Sequence, residues 1–152
     1  MPKIETPIPL DPNDGISPQI WKYLNSWPNK PVSVSRIGLD HVDKLPVAIA
    51  LQQISGTLVD RQYMDGGFIG RWPFVIFVKV QGDDTASRLS AVGVLNDLYR
   101  WMKQNPPEDI GTGRQTLHIE QRETPVRVGA YEDGTEIYQG VYVLRYKQSA
   151  GY

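Results

Sequence analysis

The sequence predicts an α+β fold: a mainly antiparallel β-sheet with one long helix, about residues 85–104, packed on it, and a short N-terminal helix. Three observations lead there. Several segments alternate apolar and polar residues with the period of a strand. One long stretch carries apolar residues at helical spacing and ends at Asn105-Pro106-Pro107. No strand–helix–strand repetition of the parallel type is present. The 152 residues, 40% hydrophobic and 22% charged, read as a single domain, 1–152, able to bury roughly 70% of its unfolded surface.

Eight of the 12 prolines lie in the first 46 residues. Proline fixes φ and removes a donor, so residues 1–16 read as an extended proline-rich arm. Ser17-Pro18 offers an N-cap and a first-turn proline for a helix whose Ile20, Leu24 and Trp27 share one face before Pro28. Val47 to Leu51 and Leu58 to Tyr63 read as strands, with a bend at Gly56 between them. Asp65-Gly66-Gly67 supplies a turn, and Arg71 to Val80 is the strongest strand signal, apolar on both faces. Such a strand is central, or has its second face covered by another subunit.

Asp83-Asp84-Thr85 caps the long helix, whose apolar residues form two adjacent stripes suited to lying across a sheet. Three strands follow: Gln115 to Gln121 with Leu117 and Ile119 inward, then Val126, Val128 and Ala130, then Glu136 to Lys147. Glu132-Asp133-Gly134-Thr135 reads as a two-residue hairpin turn between the last two. The expected order is α-β-β-β-α-β-β-β.

The composition excludes several chemistries. Without cysteine there is no disulfide, thiolate nucleophile or Cys-based metal site. Sixteen basic against 17 acidic residues give a net charge of −1, which is no electrostatic footprint for nucleic acid. The N-terminus lacks the apolar run of a signal peptide, and no stretch approaches the ~18–20 apolar residues of a membrane span, so a soluble protein is expected. His118 shares a strand face with Glu120, but no nucleophile completes a triad. His41, within Asp40-His41-Val42-Asp43, makes a weak metal site and an ordinary turn. Gly111-Thr112-Gly113-Arg114 follows a helix and precedes a strand, the reverse of a phosphate-cradling loop. No catalytic, cofactor-binding or metal residue is assigned, and no enzyme activity is expected.

What the sequence does offer is apolar surface. Met64, Phe68, Ile69 and Trp72 surround the turn at Gly66-Gly67 and Gly70, where they either fold back on their own domain or dock on a neighbour. Tyr131, Tyr138, Tyr142 and Tyr146 add amphipathic area of the kind enriched at interfaces. Should the hairpin dock on a neighbour, Arg61, Tyr63, Met64, Phe68, Ile69, Arg71 and Trp72 would form the oligomer interface.

Three ordered stretches, DRQYMDGGFIGRWPFVIF (60–77), DTASRLSAV (84–92) and YEDGTEIYQGVYVLRYKQ (131–148), together resemble the minor capsid and tail-terminator (tail-completion) family of long-tailed bacteriophages. The resemblance rests on Tyr63, Asp65, Gly66, Gly70, Trp72, Pro73 and Phe74; on Asp84, Thr85, Arg88 and Leu89; and on Asp133, Gly134, Thr135, Tyr138 and Gln139. It covers roughly residues 46–148. It implies a structural virion protein, commonly a homohexameric ring, that caps the tail tube at the head-proximal end and offers the head–tail joining surface. The implied partners are further copies of itself, the tail tube protein and a head-completion or neck protein. Genomic DNA would pass non-specifically through the lumen, with no cofactor and no membrane. The implied location is the virion tail, and the host cytoplasm during assembly. A head-completion, neck or other minor capsid protein, or a non-viral oligomeric adaptor, is the alternative reading.

Overall fold

The computed structural model describes residues 15–30, 37–39, 48–54, 59–81 and 85–150. The proline-rich arm up to residue 14, the His41 segment, Gly56, and the Asp83 and Asp84 cap lie outside them.

The first helix, α1 (Ile16–Asn25), forms because Ile16, Ile20 and Leu24 recur every four residues, and all three are buried. Ser17 is not its cap. The helix starts two residues earlier, with Gly15 in the cap position and Ile16, expected at the end of the arm, as its first residue, and the Ser17 hydroxyl donates to Gln53 Oε1 (3.2 Å). Pro18 is still in the first turn, where its missing N–H has no intrahelical acceptor to lose.

The strands are β1 (Gly38–Leu39), β2 (Ala48–Gln53), β3 (Val59–Gln62), β4 (Phe68–Gln81), β5 (Arg114–Ala130) and β6 (Thr135–Gln148), with helix α2 (Thr85–Gln104) between β4 and β5. They make one sheet in the order β1-β2-β4-β6-β5, with β3 also paired to β4. Every pairing is antiparallel except β1 with β2, a two-residue parallel contact that the sequence pattern did not reveal. The class is α+β, as expected.

Strand β4 is central: it pairs with β6 in unbroken register from Phe68↔Gln148 to Gln81↔Thr135. Proline inside a central strand normally removes a ladder bond. Pro73 escapes this because β2 pairs with β4 only from Phe74 onward and β3 only up to Gly70. The Pro73 carbonyl accepts from Ile54 N (3.1 Å) on that side, so the missing donor faces the gap between the two neighbours.

The two strands expected after the long helix, before the last one, are a single strand, β5. Thr124-Pro125 reads as a break, but β5 lies at the sheet edge, where the ladder shifts register four times instead of ending. The first shift, between Thr116 and His118, turns Leu117 outward while Ile119 stays buried. Val126 and Val128, expected inward, are 47% and 48% exposed.

The helices cover one sheet face. Trp72 and Phe74 stack at 4.9 Å between ring centroids, Phe74 and Tyr142 at 5.5 Å, and Tyr142 meets Tyr99 of α2 at 5.6 Å. Leu95, Leu98 and Met102 of α2 close over this column. Tyr138, Tyr142 and Tyr146 are thus core residues rather than interface area. Of the four tyrosines singled out, Tyr131 is the exposed one. Val75 and Val143, on the opposite face of the sheet, are buried within the single chain as well.

Candidate functional site

The turn joining β3 to β4 is built from Tyr63 to Gly67. Tyr63 N donates to Gly67 O (2.7 Å), Gly66 N to Tyr63 O (3.1 Å), and Gly67 N to Asp65 Oδ1 (2.8 Å). Gly66 has φ +94°, which L side chains rarely adopt. The turn joining β5 to β6 repeats this construction. Tyr131 N donates to Thr135 O (2.8 Å), Gly134 N to Tyr131 O (3.1 Å), and Thr135 N to Asp133 Oδ1 (2.9 Å), with Gly134 at φ 88°. It is a three-residue loop and not the two-residue turn expected, because the left-handed residue is the third of the loop. Its hydrogen bonds from Thr135 hold the Asp133 carboxyl below its ordinary pKa.

The first turn divides the seven candidate interface residues. Phe68 and Trp72 face the helices and are buried in the core, so the tip folds back on its own domain through them. Ile69 is half-buried. Arg71 is ion-paired to Asp60 at 3.7 Å within the same chain. Met64 is fully exposed, and Tyr63 and Arg61 are exposed beside it. Lys147 Nζ stands 5.7 Å from the Tyr63 ring centroid, and an open groove of about 330 Å³ runs between the turn and the end of β6, lined by Tyr63, Met64, Asp65, Lys147 and Ser149.

A row of charged groups crosses the sheet face away from the helices. Asp60 of β3 pairs with both Arg71 of β4 and Arg145 of β6. Arg145 reaches Glu120 of β5 at 3.4 Å, and Glu120 is hydrogen-bonded to His118 at 2.6 Å. The His118–Glu120 pair, about half exposed, joins a row of ion pairs with no nucleophile in it. Arg114, at the end of the glycine turn, is taken up by its own chain: Nε donates to Gln148 Oε1 (3.0 Å), Nη1 to Ile110 O (3.1 Å), and the guanidinium lies 5.6 Å from the Tyr146 ring centroid. Among the described residues no group of three His, Asp or Glu could hold a metal, and no helix is long and apolar enough to cross a membrane.

Sequence reasoning pointed to Tyr131 but missed Val126 and Val128, which are exposed on the same half of β5. A signal was present: Tyr-x-Asp-Gly occurs at 63–66 and again at 131–134.

No family model and no curated protein matches the sequence. Among solved structures the chain is similar to a chain from the virion of a native gene transfer agent (GTA) particle, with a TM-score of 0.54 at 13% identity, over 88% of this chain and 92% of that one. The two share a fold. At that identity the likeness speaks for the backbone arrangement and not for individual side chains, and it extends across nearly the whole of both chains.

Proposed function

We propose that this chain is a structural component of a phage-like virion: a tail terminator whose copies form a ring, a hexamer by the family resemblance, capping the tail tube and presenting a surface to a head-completion or neck protein. The observation that carries this reading is the end-to-end likeness to a chain of a gene transfer agent virion. The motif resemblance supports it independently, and its residues fall at structurally demanding places: Asp65 and Asp133 brace the two turns, and Trp72, Phe74 and Tyr138 fill the core. The near-neutral charge suits a lumen through which DNA slides without sticking.

The testing experiment adds the purified chain to tail tubes and, separately, to DNA-filled heads, and images both by negative-stain electron microscopy. Rings at tube ends, with tube length fixed thereafter, are expected. Binding to heads alone would replace the terminator with a head-completion protein, and binding to neither would remove the virion role.

A further inference from the structure

Strand β3 buries little of itself. It has four residues and pairs with β4 alone. Asp60, Arg61 and Gln62 are exposed, and its contribution to the core is the partly buried Val59. Its ladder is also broken: Val59 pairs with Gly70 and Arg61 with Ile69, which leaves Asp60 as a bulge residue with no partner position on β4. By contrast, β4 and β6 pair in unbroken register along the whole of β6.

Asp60 compensates for that break. Its side chain is 28% exposed although the residue lies on an outer strand, because the carboxylate turns over the sheet to Arg71 of β4 (3.7 Å) and to Arg145 of β6. Glu120 of β5 holds Arg145 from the far side at 3.4 Å. The two arginine side chains are 23% and 30% exposed. Such pairs are shielded enough to hold a strand and exposed enough for salt to weaken them. At its other end β3 runs into the Tyr63–Gly67 turn, which is closed by its own hydrogen bonds.

We propose that β3 is a strap latched by Asp60: residues 59–62 open away from β4 as a unit, hinged at the Tyr63–Gly67 turn, while the rest of the sheet stays folded. Local opening draws on segments with few buried apolar contacts and solvent-exposed backbone bonds, and β3 has both. Opening withdraws Asp60 from Arg71 and Arg145. It also bares the backbone edge of β4 at Phe68, Ile69 and Gly70, a row of donors and acceptors to which another strand can add. The device belongs to the single chain and does not depend on the ring reading.

Amide hydrogen exchange on the full chain tests it, with the wild type, Asp60→Asn, and Asp97→Asn as a control that removes an exposed ion pair on α2. Circular dichroism verifies that each variant folds. In the wild type the slowest amide within 59–62 is expected to exchange faster than those of β4 and β6. It should respond weakly to urea below the unfolding transition, since local opening exposes little surface. Asp60→Asn is expected to speed exchange within 59–62 about fivefold at low salt, with a smaller effect near about 1 M salt. Asp97→Asn should leave these amides unchanged. If residues 59–62 exchange at the rate and with the urea dependence of β4 and β6, β3 is no separate unit and the strap is overturned, a result that needs the wild type alone. Unchanged exchange in folded Asp60→Asn overturns the latch.

Discussion

Gly70 of β4 lies directly beneath the Tyr146 ring of β6, so close that a Cβ at position 70 would fall against the ring carbons and hydroxyl. Tyr146 is fully buried, and the cation of Arg114 closes over it. Gly70→Ala is therefore expected to overpack the core, costing about 1–3 kcal/mol, read as a lower urea midpoint at unchanged slope. Gly93, in the middle of α2, gives the opposite outcome: a Cβ there meets nothing within 4 Å. Gly93→Ala should stabilise by about 0.5–1 kcal/mol through helix propensity and a less flexible unfolded chain.

The two aromatic or sulfur-bearing residues of the tip that look alike in sequence should behave differently. Phe68→Asp places a carboxylate at a position 3% exposed, and the protein is expected to lose on the order of 3–5 kcal/mol or fail to fold. Met64→Asp should change the stability of the monomer by less than about 0.5 kcal/mol, as an isolated surface substitution does. Thermal melts at low protein concentration check both.

Asp60 answers two arginines, and all three side chains are partly shielded from water. Asp60→Ala should cost about 1 kcal/mol at low salt and less near about 1 M salt, where the Debye length has shrunk to ~3 Å. His118→Ala, at the exposed end of the same row, is expected to fall within about 0.5 kcal/mol of the wild type.

Alkaline pH should destabilise the fold in a defined window. Burial pushes the phenols of Tyr23 and Tyr142 above their ordinary value, with Tyr99 adding to the effect at Tyr142. The folded state holds these protons more tightly than the unfolded chain does. Stability from this source is full below the unfolded pKa of about 10 and is lost as pH rises beyond it. A spectrophotometric titration should show the phenols of Tyr23 and Tyr142 withheld until the chain unfolds. Tyr142→Phe removes a buried hydroxyl with no hydrogen-bond partner among the described residues. It should be neutral or stabilising by up to about 1 kcal/mol, and one withheld tyrosine should disappear from the titration.

Much of this molecule was legible in its sequence because the governing interactions are local. The i, i+4 spacing of Ile16, Ile20 and Leu24 defines α1, Asn105-Pro106-Pro107 ends α2, and Asp-Gly at 65–66 and 133–134 turns the chain. The α+β class follows from those periods, since no packing detail is needed to tell a period of two from one of 3.6.

Facing and pairing were decided by the tertiary structure. A bulge at Thr116/His118 reverses which residues point inward, and alternation cannot register an inserted residue whose only mark is its effect on a neighbouring strand. Pro125 interrupts nothing because β5 is an edge, and Pro73 interrupts nothing because two neighbours change places beside it. Both depend on strand order, a long-range property. The same holds for the interface residues. Phe68 and Met64 are both apolar and four positions apart, yet one is core and the other fully exposed. The sequence by itself determined the α+β class, the two helices and the places of the two Asp-Gly turns. The tertiary structure decided which apolar side chains the fold consumes and which it leaves at its two ends, because burial depends on what the rest of the chain brings alongside.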